Sequence, residues 1–235
     1  MALPYDCTGC HTVTEDGDLL FIDGDEVRKL TSDGTVITLL TPDREARCIH
    51  SSRINGDILV GSDGKVMRYD RTGRELQVIE KDDKGQGLYR LPIYITENKN
   101  GDIWNSDLDK EAVVVVDKSG HHRFDYTSRQ SDYTGRQSED SSYMYRFSYT
   151  DRQSHFYPFG ICTDVLGHVL VCDIYNNSVH LLDQHGQFLS LLLTGEQHGI
   201  RPTALCVDDQ HNLYLGQYDS NTIKVYKYLQ DTDVK

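Results

Sequence analysis

No stretch of the 235-residue chain approaches about 18 consecutive apolar residues, so the sequence offers no helix able to cross a membrane. Basic residues are in short supply: 24 Lys and Arg face 37 Asp and Glu, a formal charge of −13. That balance works against nonspecific binding to phosphate backbones and favours basic or neutral partners. The opening residues Met1-Ala2-Leu3-Pro4-Tyr5-Asp6 carry neither a basic region nor an apolar run, so no signal peptide is expected and the expected location is cytoplasmic. Apolar spacing near 3.6 is nowhere sustained over about ten residues, which argues against a helical solenoid. The cysteines are Cys7, Cys10, Cys48, Cys162, Cys172 and Cys206. Without an export signal they are expected as free thiols and not as a disulfide framework.

What the chain does contain is a repeat. A Gly-Asp-like turn opens an apolar run at Gly17-Asp18-Leu19-Leu20-Phe21-Ile22, Gly56-Asp57-Ile58-Leu59-Val60 and Gly101-Asp102-Ile103-Trp104. The pattern returns at Gly167-His168-Val169-Leu170-Val171-Cys172 and His211-Asn212-Leu213-Tyr214-Leu215. A second run follows each one, starting at Val27, Val66, Val113, Val179 and Ile223. In the first four repeats a glycine (Gly34, Gly73, Gly120, Gly186) stands seven positions after the start of that run. Glycine supplies positive φ, Asp and Asn stabilise turns, and β-branched residues suit a buried pleated surface. Repeats recur every 39 to about 45 residues where nothing is inserted, near the period of a four-stranded propeller blade. Five positions before each turn lies a small residue: Thr12, Ser51, Thr96, Cys162 and Cys206. Inner strands crowding a central channel require small side chains, so Cys162 and Cys206 are expected as core residues.

Asp173-Ile174-Tyr175-Asn176-Asn177-Ser178-Val179, preceded by Phe159-Gly160-Ile161 and Gly167-His168-Val169-Leu170-Val171, resembles an NHL repeat. Arg201-Pro202-Thr203-Ala204-Leu205-Cys206-Val207-Asp208 opens a second good match; the first three repeats lack the Asn pair. The chain is most similar to the C-terminal propellers of tripartite-motif (TRIM) NHL proteins, particularly divergent copies of the kind numerous in molluscs. The resemblance implies an all-β fold, a single NHL-type β-propeller over residues 1–235 with five recognisable blades. It also implies recognition of a protein or peptide, as in the substrate-recognition propeller of TRIM-NHL ubiquitin ligases; the RING, B-box and coiled coil that carry ligase activity have no counterpart. Some relatives bind single-stranded RNA on the same face, an alternative this acidic chain disfavours. The family usually closes six blades, so either an open or five-bladed ring or a member lacking its first blade is expected. The last repeat is expected to stop after its third strand, Ile223–Tyr228.

Residues 126–154 interrupt the repeats with a stutter: Tyr126-Thr127-Ser128-Arg129-Gln130-Ser131, Tyr133-Thr134-Gly135-Arg136-Gln137-Ser138 and Tyr149-Thr150-Asp151-Arg152-Gln153-Ser154. Low aliphatic content predicts a flexible Tyr/Arg/Ser-rich insertion. Interleaved Tyr and Arg suit base stacking, but Arg129, Arg136, Arg146 and Arg152 are matched by Asp132, Glu139, Asp140 and Asp151.

Chemistry-bearing motifs are weak. Cys7-Thr8-Gly9-Cys10-His11 has the spacing of a c-type haem attachment, yet the repeat register demands an inner strand there, and no second cysteine pair exists for a zinc ribbon. A calcium-dependent propeller hydrolase needs converging carboxylates, and the alignable inner positions offer Glu97 alone. No nucleophile, base and orienter can be placed together, so the chain is expected not to be an enzyme, with no metal and no cofactor. The loops between second and third strands are acidic instead. Asp23, Asp25, Asp63, Asp107, Asp109, Asp173 and Asp219, with Tyr175 and Asn176, form a candidate binding rim opposed by Lys65 and Lys110. Turn chemistry alone also enriches Asp at such positions.

Overall fold

A computed structural model describes residues 11–128, 156–218 and 220–228. Blade 1 is built from β1 (His11–Val13), β2 (Leu19–Asp23), β3 (Glu26–Leu30) and β4 (Val36–Leu40). Blade 2 comprises β5 (Ala46–Ser51), β6 (Ile58–Ser62), β7 (Lys65–Tyr69) and β8 (Glu75–Ile79). Blade 3 contains β9 (Pro92–Glu97), β10 (Ile103–Asp107), β11 (Ala112–Val116) and β12 (His122–Tyr126). Blade 4 holds β13 (Pro158–Thr163), β14 (Val169–Asp173), β15 (Ser178–Leu182) and β16 (Phe188–Thr194), followed by the helical turn α1 (Gly195–His198). Blade 5 has β17 (Pro202–Val207), β18 (Asn212–Gln217) and β19 (Lys224–Lys227). Each sheet is an antiparallel meander in chain order, and the inner strands pack successively, β1 on β5, β5 on β9, β9 on β13 and β13 on β17. This is the five-bladed all-β propeller expected from the repeat.

Middle strands are apolar because both faces are covered. In β14, Val169 and Val171 turn toward blade 3 while Leu170 and Cys172 turn toward blade 5, all fully buried. Four separate seams result, one between each consecutive pair of blades. None of the four buried clusters joins blade 5 to blade 1 among the described residues, so each terminal blade keeps one face without a neighbouring sheet.

Recurrent turns set the blades' shape. Between third and fourth strands, Asp70 accepts from the amides of Thr72 and Arg74 at 2.8 and 3.1 Å, and Asp183 from His185 and Gln187, both at 2.8 Å. Asp117 does the same for Ser119 and His121. Each such turn closes through a glycine, Gly73, Gly120 or Gly186, at φ near +84° to +85°, which accounts for the fixed interval in the sequence. Between inner and second strands, Asn98, Asp164 and Asp208 accept from the amide four residues on. In blade 5 His211 takes the glycine's place at φ +63°.

Two expectations about the inner strands change. The β5–β6 turn is one residue longer: Ser52 N–H donates to Asp57 O, where blades 1 and 3 close Thr14 on Asp18 and Asn98 on Asp102. His50, paired with Leu59, is therefore the counterpart of Thr12, Thr96, Cys162 and Cys206, and Ser51 is not. Cys162 is half-buried against the seam between blades 4 and 5, and burial pushes its thiol pKa up. Cys206 is exposed and not in the core, because its face of blade 5 meets no further sheet. Tyr126, counted with the insertion in the sequence, is the buried last residue of β12; residues 129–154 lie outside the described residues, as do Cys7 and Cys10.

Candidate binding face

The loops joining second to third strands share one face of the propeller with the connections between blades. Backbone amides show it directly. Asp107, at the end of β10, accepts from the amides of Arg90 (2.6 Å), Leu91 (3.0 Å) and Lys110 (3.0 Å), tying the blade 2–3 connection to the β10–β11 turn. Asp173 occupies the same place in blade 4, accepting from Tyr157 N (3.3 Å), Tyr175 N (3.0 Å), Asn176 N (3.2 Å) and Asn176 Nδ2 (2.8 Å). In blade 5 Gln217 takes over, its Oε1 accepting from Arg201 N at 3.4 Å.

Asp107 and Asp173 are thus withdrawn from the rim on which the sequence placed them: both are fully buried, because a carboxylate is the acceptor that can gather three amides from two loops. Burial raises the Asp107 pKa, and the amides of Arg90, Leu91 and Lys110 oppose that rise. Asn176 is half-buried and spends its side-chain amide on Asp173, while half-buried Tyr175 lies against Tyr157 with ring centroids 5.7 Å apart. Behind Asp173 sits His180, fully buried in β15, with Nδ1 2.8 Å from Tyr126 Oη and Nε2 3.8 Å from Asp173 Oδ2. Burial holds its pKa down at about 3, so the imidazole is neutral and shares one hydrogen bond with the tyrosine hydroxyl.

The remaining acidic residues do reach the surface. Asp23 is exposed and paired with Arg28 at 3.0 Å, and Asp63 is gripped by Arg47 at 2.5 and 3.2 Å. Lys65 reaches Asp43 at 2.6 Å, and Lys110 reaches Asp125 at 2.9 Å. Asp25 and Asp109 are exposed with no ion pair among the described residues; Asp219 lies outside them. The face is consequently of mixed charge. Arg44, Arg90 and Arg201 come from the connections that precede blades 2, 3 and 5 and Arg47 from the start of β5, 16 to 19 positions before the loops they face, so counting charges loop by loop misses them. The signal that finds them is the connection's place in the meander.

The other chemistry considered from sequence is also located. Glu97 is buried at the end of β9, accepting a short hydrogen bond from Ser52 Oγ and lying 3.5 Å from Arg68. Arg68 in turn bonds Asp57 at 3.0 Å, so this carboxylate is held in a link between blades 2 and 3. Among the described residues no three His, Cys, Asp or Glu side chains gather in a metal-holding group, and no helix is long and apolar enough to cross a membrane.

No protein-family model and no curated protein matches the sequence. Solved structures do resemble it. Virginiamycin B lyase from Staphylococcus aureus superposes with a TM-score of 0.63 at 17% identity, over 96% of this chain and 71% of that one. A putative gluconolactonase gives 0.63 at 15% identity over 94% and 75%, and a chain of a nidogen/laminin complex gives 0.65 at 13% over 97% and 78%. At these identities the likeness is one of fold, and that fold, carried by enzymes and by a binding protein alike, is the β-propeller.

Proposed function

We propose that the chain is a non-catalytic binding module that recognises a protein or peptide on the connection face. The observation that carries this is the clamping of that face: Asp107, Asp173 and Gln217 fasten the last three connections to the neighbouring turns from beneath. Loops held in this way present Asp109, Arg90 and Tyr175 with little ordering entropy left to lose on binding, while Asp25 stands exposed in the β2–β3 turn outside the clamps. Mixed charge with the half-buried Tyr175 among it suits a polypeptide partner. The NHL-like segment Asp173–Val179 supports a TRIM-NHL type of recognition, and a cytoplasmic setting fits the free thiols. Single-stranded RNA is the rival ligand and would have to use Arg44, Arg47 and Arg90.

The test is partner capture followed by titration of the purified partner. Charge reversal at the two unpaired carboxylates, Asp25→Lys with Asp109→Lys, is expected to weaken binding about tenfold. Unchanged affinity removes the connection face from consideration. A salt-dependent shift with single-stranded RNA that Arg90→Glu abolishes replaces protein recognition by RNA binding.

A further inference from the structure

Blade 5 departs from the other four at one edge. Blades 1 to 4 each lay a fourth strand against the third, whereas among the described residues blade 5 ends at β19. Burial records the difference. The equivalent strands β7 and β11 are buried throughout and β15 at all but one position, while β3 of the other terminal blade is half-buried but has no exposed residue. In β19 half-buried and exposed residues alternate, with Val225 54% exposed and the preceding Ile223 67%. Tyr228 N–H donates to His211 O at 3.1 Å. Antiparallel pairs alternate, so Lys224 and Tyr226 turn their backbone groups to β18 while Val225 and Lys227 turn theirs outward. Among the described residues that is an open ladder edge.

The complete blades specify what fits it. Each fourth strand runs antiparallel to the third and drops a large apolar side chain (Leu40, Ile79, Tyr126, Leu193) into the seam toward the next blade. On blade 5 the corresponding face carries Cys206, Tyr214, Ile223 and Val225. Charge narrows the occupant further. Lys224 Nζ bonds the carbonyl oxygens of His198 (2.8 Å) and Gly199 (2.9 Å), and Lys227 Nζ that of Gln210 (2.6 Å); neither meets a carboxylate among the described residues. A second copy pairing edge to edge must set outward residues opposite one another, and with Val225 opposite Lys227 the two copies' Lys227 become diagonal neighbours, a like-charge contact that opposes pairing. A strand with carboxylates flanking its apolar residues has the opposite effect.

We infer that β19 is a docking edge for an extended, apolar segment of another polypeptide flanked by carboxylates, added as the fourth strand of blade 5. This surface is separate from the connection face, and either can fail without the other. A probe exists within the chain itself: the sequence of β8 with the next residue, Glu75-Leu76-Gln77-Val78-Ile79-Glu80, has the required composition. As a synthetic peptide titrated into the whole chain it is expected to bind saturably and to slow hydrogen exchange at the Val225 and Lys227 amides. Val225→Pro and, independently, Lys227→Pro each remove one outward N–H while leaving the β18 ladder intact. Either is expected to lower peptide affinity at least about tenfold, whereas Val225→Ala, which keeps the N–H, stays within about threefold. The inference is overturned by no binding at millimolar peptide, by equal binding to both proline variants, or by amides at 225 and 227 already protected in the free monomer. A dimer that Val225→Pro dissolves would give the edge to a second copy and overturn it as well.

Discussion

Gly160 shows how closely neighbouring blades approach at their inner strands. A Cβ built there would lie 2.7 Å from Ala204 Cα and 2.8 Å from Thr203 O, both backbone atoms of β17. Nothing flexible can give way, so Gly160→Ala forces β13 and β17 apart. The variant is expected to lose about 2 kcal/mol in urea unfolding, in the range of other overpacked sites; an unchanged midpoint would show that the seam yields. Gly160 could be picked out in the sequence as part of the NHL-like Phe159-Gly160-Ile161, though its neighbour across the seam could not. Asp107 and Asp173 mark the opposite case. Their residue type was legible, but a turn carboxylate and a buried clamp look alike until the connection that donates the amides is in place.

At the scale of the strand, β15 brings a histidine into a buried, largely aromatic seam, where Phe156, Phe188 and Tyr126 surround His180 at ring separations of 5.3 to 6.0 Å and Asp173 Oδ2 lies 3.8 Å from Nε2. Its pKa falls from 6.5 to about 3 because burial disfavours the imidazolium. Between those values the unfolded chain holds a proton that the folded chain refuses, so stability falls as pH drops below 6.5. The slope from this one site reaches about 1.4 kcal/mol per pH unit. Trp104, the single tryptophan, is buried in the same seam and reports unfolding. His180→Gln is expected to flatten the acid limb of the stability profile, and an identical limb in both proteins would place the acid sensitivity elsewhere. Strand existence was readable for all five repeats from turn and apolar spacing. Register was less so: the extra residue between Ser52 and Asp57 slides β5 by one position, which decides whether His50 or Ser51 is the inner counterpart.

Across the whole molecule, the seams make stability graded. Blades 2, 3 and 4 are sandwiched on both sides, while blades 1 and 5 each bury one face. Such arrays open from their ends. Amides of β10, β11 and β14 are expected to exchange slowest and those of β1 and β19 fastest; uniform protection would mean that the two end faces are closed against something. Blade number and the short final blade were legible because each repeat carries its own punctuation. Whether the ends meet was not, since it depends on how far each sheet is rotated against the next, and no local pattern encodes that sum.

The connections help to build the seams as well as crossing them: Leu88 and Tyr89 are buried between blades 2 and 3, and Phe156 and Tyr157 are buried just ahead of β13. Blades 3 and 4 share the seam of Trp104, Tyr126, Phe156 and Val171, and Phe156 enters it from outside the strands. Any exchange of foreign sequence into that connection therefore has to spare Phe156 and Tyr157, which anchor its downstream end to the scaffold.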